Sequence, residues 1–62
     1  MMKWEIGYKI ISKEGVSGEI INININKKKR MYEIRFKGGM IDGSTMSYDQ
    51  KAMDEIFTLD VV

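Results

Sequence analysis

Apolar residues occupy every second position in three stretches of the chain. They are Trp4, Ile6, Tyr8 and Ile10 in the first stretch, Ile21, Ile23 and Ile25 in the second, and Tyr32, Ile34 and Phe36 in the third. A period of two places such side chains on one face of a β-strand. The pattern therefore predicts a three-stranded antiparallel meander, with strands at about residues 3–12, 18–26 and 30–37.

The register of the first two strands is restricted by parity. Directly opposed residues of an antiparallel pair project from the same face, so apolar residues should oppose apolar residues. With a first loop at residues 14–17, the opposed pairs would be Ile10 with Ile21, Tyr8 with Ile23 and Ile6 with Ile25. We therefore expect all three isoleucines of the central strand to face the core, and Ile20 to lie on the opposite face.

The loop between the second and third strands is predicted to contain four residues, 26–29. This loop sets Ile23 opposite Tyr32. A two-residue turn at Lys28 and Lys29 also satisfies parity, but tight hairpin turns require positive φ angles, which lysine adopts poorly. The longer loop is therefore favoured, and the isoleucine-asparagine strand becomes the central strand of the sheet.

The last third of the chain predicts a helix at about residues 48–57. Its apolar stripe comprises Ala52, Met53, Ile56 and Phe57. Ser47 followed three residues later by Gln50 matches a capping box, and the stripe can cover the apolar face of the sheet. Short extra strands are expected near residues 40–46 and 58–62. The predicted fold is therefore a single α+β domain, residues 1–62.

Composition excludes most catalytic chemistry. A chain of 62 residues that lacks Cys and His offers neither thiolate metal ligands nor the commonest general base. No serine has a base in view, and no glycine spacing matches a phosphate-binding loop. We predict that the protein is not an enzyme and has no cofactor or metal site. With no apolar run long enough for a membrane span and no signal peptide, we expect a cytoplasmic protein without membrane contact.

Charge divides the chain into two parts. Residues 1–41 carry a balance of +5, whereas residues 42–62 carry a balance of −4. Such separation influences the choice of partner and the encounter rate more than the fold.

Four consecutive cations, Lys27, Lys28, Lys29 and Arg30, follow the asparagine-rich strand. At a hairpin tip they could contact phosphates without reading bases. The alternative, which the sequence favours, is that they keep a hydrophobic strand soluble.

The polar face of the sheet is a candidate partner-binding surface. Its residues are Lys9, Asn22, Asn24, Glu33 and Arg35. Asparagine is a poor strand former, so its repetition in a central strand invites a binding role, although any solvent-facing row must be polar. The aromatic residues fall on the other face, which argues against stacking of nucleic-acid bases here.

The predicted helix supplies an acidic candidate surface. It comprises Asp49, Asp54, Glu55 and Asp60. These carboxylates could occupy a basic cleft on a target protein, although an ordinary solvated helix face explains them equally.

These patterns lead to two functional hypotheses. The first is a small non-enzymatic protein-binding module, a phage or bacterial inhibitor or regulator that acts by protein contact or self-association, for example as a homodimer. The alternative is a sequence-nonspecific nucleic-acid-binding protein that uses the basic hairpin loop, helped by Lys9, Arg35 and Lys37.

Overall fold

The computed structural model describes residues 4–60, which form one five-stranded antiparallel sheet and one α-helix. The strands are β1 (Lys9–Ser12), β2 (Ser17–Asn26), β3 (Lys29–Lys37), β4 (Thr45–Asp49) and β5 (Phe57–Leu59). A 3-10 turn (Gly39–Ile41) precedes β4, and helix α1 (Gln50–Ile56) joins β4 to β5. The strand order is β4-β3-β2-β1-β5, so β4 and β5 form the two edges. The predicted α+β class is confirmed, and two further strands, β4 and β5, flank the three strands of the predicted meander.

The core lies between one face of the sheet and α1. Its buried side chains are Trp4, Ile10, Ile20, Tyr32, Ile34, Phe36, Met53 and Phe57. The Trp4 indole N–H donates to the Asp54 carboxylate at 2.9 Å, which ties the segment before β1 to the helix. Burial of large apolar side chains of this kind is the main stabilising contribution in so short a chain. The described part of the chain contains no helix long and apolar enough to cross a membrane.

The first strand is shorter than the predicted strand at 3–12, whose residue 3 lies outside the described residues. It begins at Lys9. Before it, the Tyr8 N–H donates to the Glu5 carbonyl at 3.1 Å, which closes a turn instead of continuing a strand. The predicted core position of Ile6 is therefore wrong, and its side chain is 60% exposed.

The predicted register between β1 and β2 is also wrong. Ile10 lies opposite Gly18 instead of Ile21. The connecting turn is tighter than expected because the Ser12 hydroxyl accepts the Val16 N–H at 3.0 Å. The absence of a side chain at position 18 leaves room for the Ile34 side chain of β3.

A β-bulge at Ile21 interrupts the pairing of β2 with β3. On its C-terminal side the predicted register is confirmed, with Ile23 opposite Tyr32. On its N-terminal side Ile20 pairs with Ile34, so the register shifts by one residue between Ile20 and Asn22. A bulge of this kind reverses the alternation of faces. The core residue is therefore Ile20, which we had placed on the polar face, whereas Ile21 is half-buried.

The β2–β3 connection is a two-residue turn at Lys27 and Lys28, not the predicted four-residue loop. The φ angles of these lysines are 49° and 68°. Positive φ at both central residues is the pattern of a type I′ turn, whose twist matches that of the flanking strands. The end of the hairpin extends beyond the core, and Ile25, which is predicted to face the core, is 70% exposed.

Helix α1 is shorter than the predicted helix at 48–57, and its cap is different. Asp49 is the N-cap residue, and its carboxylate accepts the Ala52 N–H at 2.9 Å. The predicted cap at Ser47 is wrong because β4 continues through Asp49 before the helix begins.

The two predicted extra strands exist at shifted positions. The strand expected near residues 40–46 is Thr45–Asp49, preceded by the 3-10 turn. The strand expected at residues 58–62 is Phe57–Leu59, with residues 61–62 outside the described part. It pairs with β1.

Candidate functional site

The outer side of β4 carries backbone groups that do not point at β3. The Phe36 N–H donates to the Ser44 carbonyl at 2.8 Å at the start of the β3–β4 ladder. In an antiparallel ladder, hydrogen-bonded and non-hydrogen-bonded positions alternate. Met46 and Tyr48 therefore bond β3, whereas the N–H and C=O groups of Thr45 and Ser47 point away from the sheet. Within residues 4–60 no strand pairs with this side.

This edge lacks the features that usually block further pairing. Natural sheet edges are protected by short strands, lysine, proline or bulges. The opposite edge, β5, has three residues and is followed by Asp60. By contrast, the Thr45–Asp49 strand has five residues, contains neither Lys nor Pro, and pairs with β3 in an unbroken register. β4 is therefore an exposed pairing edge.

An apolar groove of about 410 Å³ lies beside this edge. Its lining includes Val16, Phe36, Ile41, Met46, Tyr48 and Phe57. Ile41 and Met46 are 40% and 54% exposed, so both present apolar surface to solvent. We call β4 and this groove together the edge groove.

The floor of the edge groove is aromatic. The ring of Tyr48 meets that of Phe57 edge-on, with the centroids 5.3 Å apart. Phe36 lies on the other side of Phe57 at 6.4 Å. Because two of the three rings are buried in the core, the floor of the groove is preformed.

The predicted polar surface is assembled on the sheet face opposite the core. Asn22 pairs with Glu33, and Asn24 pairs with Met31. The members of this face are Lys9, Asn22, Asn24, Glu33 and Arg35. A row of opposite charges crosses the sheet, because Glu19 lies opposite both Lys9 and Arg35. Local charge balance therefore accounts for much of this face without a ligand.

The predicted acidic surface is divided among several structural roles. Its members are Asp49, Asp54, Glu55 and Asp60. Asp49 caps α1 and lies 3.9 Å from the Lys29 ammonium, and Asp54 accepts the Trp4 indole N–H. Asp60 follows β5, where its N–H donates to the Lys9 carbonyl at 2.8 Å. Glu55 is exposed on the helix. Two of the four carboxylates, Asp49 and Asp54, therefore make contacts within the molecule, and Asp60 lies beyond β5 and not on the helix.

The basic hairpin gains a cation from the helix. Lys28, Lys29 and Arg30 line a shallow depression of about 230 Å³, and Lys51 of α1 lines its other side. Lys51 is not predicted as part of this cluster, because it lies more than twenty positions away in the chain. We call Lys27, Lys28, Lys29, Arg30 and Lys51 the basic tip.

Two tyrosines have raised pKa values. Burial raises the pKa of Tyr32, and the nearby Arg30 charge partly opposes this effect. The charge of Glu5, which also accepts the Tyr8 hydroxyl at 3.2 Å, raises the pKa of exposed Tyr8. Both phenols are therefore protonated near neutral pH. Among residues 4–60 no group of acidic, His or Cys side chains could hold a metal ion.

Comparison with known proteins finds no matching family model, no similar curated protein and no similar solved structure. The edge groove and the basic tip are the surfaces from which a function can be inferred.

Proposed function

We propose that this chain is a small non-enzymatic protein-binding module that binds an extended segment of a partner protein along β4. The observation that supports the proposal is the juxtaposition of an unprotected sheet edge with an apolar groove. An inhibitor or regulator of a larger protein could act through this contact alone.

The bound segment would add a sixth strand to the sheet. Its backbone would exchange hydrogen bonds with the outward N–H and C=O groups of Thr45 and Ser47. Alternate side chains would lie on the same face as Met46 and Tyr48 and enter the groove. Backbone pairing supplies affinity in this mode, and the groove selects the side chains.

The chemistry of the groove defines the segment that fits. Its walls are aliphatic and aromatic, so the partner should carry large apolar residues at alternate positions. Glu14 lies at the rim, and Asp49 ends the β4 strand. Lys or Arg at the ends of the segment would therefore complement the site.

Selection of random peptides displayed on phage tests this proposal. Enriched peptides should alternate apolar and polar residues and should bind the purified protein. Ser47→Pro removes an outward N–H while sparing the β3 ladder, and should weaken peptide binding roughly tenfold. Ser47→Ala keeps that N–H and is the matched control, with affinity unchanged. Met46→Asp should weaken binding through the groove.

Two outcomes would contradict the proposal. Failure to enrich any peptide, together with a monomeric state in light scattering, would remove protein binding at this site. Enriched peptides that bind Ser47→Pro as tightly as the native chain would show that β4 is not the docking strand.

Self-association is distinguished by a cysteine variant. The occupant could instead be a second copy whose β4 runs antiparallel to the first. Full pairing of the two five-residue strands then places Ser47, the middle residue, opposite Ser47 of the other copy. The chain has no cysteine, so Ser47→Cys would then form a disulfide-linked dimer on mild oxidation. A variant that stays monomeric would argue against self-association along β4.

A further inference from the structure

The turn of the β2–β3 hairpin places lysines where the backbone disfavours them. Lys27 and Lys28 both have positive φ, at 49° and 68°. Asn-Gly is the preferred pair in a type I′ turn, because most other L-residues are strained at positive φ. A strained position that persists in a fold is a reason to look for a role of the side chain.

Solubility alone does not account for these two lysines. Asn24 and Asn26 lie on the same hairpin and are also exposed. Either position would carry a solubilising charge with ordinary strand geometry. The turn instead places both charges at the end of the hairpin, where Lys28 lines the depression that Lys51 also borders.

The basic tip combines these lysines with three further cations. Lys29 and Arg30 follow in β3, and Lys51 approaches from α1 across the depression. Of the described residues that line the depression, Asp49 alone carries a carboxylate, and this carboxylate also caps the helix. The Lys29 side chain is 72% exposed, so its ammonium can turn toward a ligand. The tip therefore has a local excess of positive charge.

We propose that the basic tip binds the phosphate backbone of duplex DNA without sequence specificity. A two-stranded β-ribbon fits the major groove of B-DNA, and the cations of the turn, of β3 and of α1 would reach the flanking phosphates. Five cations distributed over two elements match a polyanion better than a single phosphate group. No aromatic residue occurs between Asn24 and Arg30, so this part of the hairpin has no ring on which the bases of a single strand could stack.

One double variant tests the strain and the charge of the turn through two different measurements, thermal stability and DNA affinity. Lys27→Asn/Lys28→Gly relieves the strained turn and removes two cations. It should raise the melting temperature by about 5 °C. Fluorescence anisotropy with a labelled DNA duplex should show roughly tenfold weaker binding, and the slope of log affinity against log salt should fall by about two.

A matched control changes the same net charge elsewhere. Lys13→Gln, the matched control for Lys51→Gln, removes one exposed cation away from the tip and should leave the salt slope close to that of the native chain. Lys51→Gln should reduce the slope by about one. Separate arms use single-stranded DNA, inorganic tripolyphosphate and a polyglutamate peptide as ligands.

Several results would overturn the proposal. One is that the native chain does not bind duplex DNA at low salt. Another is that the turn variant binds duplex DNA as tightly as the native chain. A lower melting temperature of the turn variant would refute the strain on which the inference depends. If the native chain bound polyglutamate as tightly as duplex DNA, the tip would be assigned to acidic proteins. If it bound single-stranded DNA more tightly than duplex DNA, the preference for the duplex would be refuted.

Discussion

Gly18→Ala is a direct test of the sheet register. Gly18 is buried in β2, where it lies opposite both Ile10 and Phe36. A Cβ atom added there would lie 2.9 Å from Ile34 Cγ2 and 3.1 Å from the Arg35 carbonyl oxygen. Real Cβ atoms essentially never show the shorter distance, so a neighbour must move. The Ile34 side chain is fully buried, and the Arg35 backbone belongs to the β3 ladder, so neither can move easily.

The expected loss follows from two opposing effects. Overpacking of a core typically lowers the free energy of unfolding by about 1–3 kcal/mol. Replacing Gly by Ala also restricts the unfolded chain, which raises the free energy of unfolding by about 0.4–1 kcal/mol. The net destabilisation should be about 1–2 kcal/mol, which lowers the melting temperature of a domain of this size by roughly 5–15 °C. For a chain of 62 residues this is a large fraction of the free energy of unfolding.

Urea denaturation followed by circular dichroism measures this change. Ser17→Ala, at the neighbouring half-buried position, is the control and should change the free energy of unfolding by less than about 0.5 kcal/mol. If Gly18→Ala were as stable as the native protein, Gly18 would not contact Ile34. The shifted β2–β3 register, with Ile20 opposite Ile34, would then have to be reconsidered.

Two further predictions concern the helix cap and the buried tyrosine. Asp49→Ala removes the side chain that accepts the Ala52 N–H and should cost about 1 kcal/mol in urea denaturation, whereas Asp49→Asn should retain most of that stability. Burial raises the folded-state pKa of Tyr32, so its contribution to stability is complete below the unfolded tyrosine pKa of about 10 and is lost as the pH rises above it. Denaturation curves across this range should show the decline, and Tyr32→Phe should reduce it; an unchanged decline in that variant would assign it to other groups.

Alternation predicted much of the sheet, and its failures have local causes. The period of two identified β2 and β3, and parity gave the correct pairing of Ile23 with Tyr32. It could not locate the bulge, because Ile20 and Ile21 are the same residue type and either can face the core. The type I′ turn was rejected on the strain of lysine at positive φ, yet the twist of the hairpin outweighs that strain.

The candidate site was harder to predict because it depends on tertiary packing. Ser47 and Asp49 are both good N-cap residues, so the sequence did not distinguish the end of a strand from the start of a helix. With the extra strand placed near residues 40–46 and Ser47 assigned as the helix cap, neither the exposed edge nor the groove under Met46 could be anticipated. Lys51 reaches the hairpin only after β4 has placed α1 beside it.

Amide hydrogen exchange along β4 tests the central claim, that this strand offers an unpaired edge to a partner. In the monomeric protein the Thr45 and Ser47 amides should exchange rapidly, whereas those of Met46 and Tyr48, which bond β3, should be protected. A bound segment should then protect Thr45 and Ser47. A Ser47 amide as protected as that of Met46 in the free monomer would show that the edge is already covered, and would contradict the account.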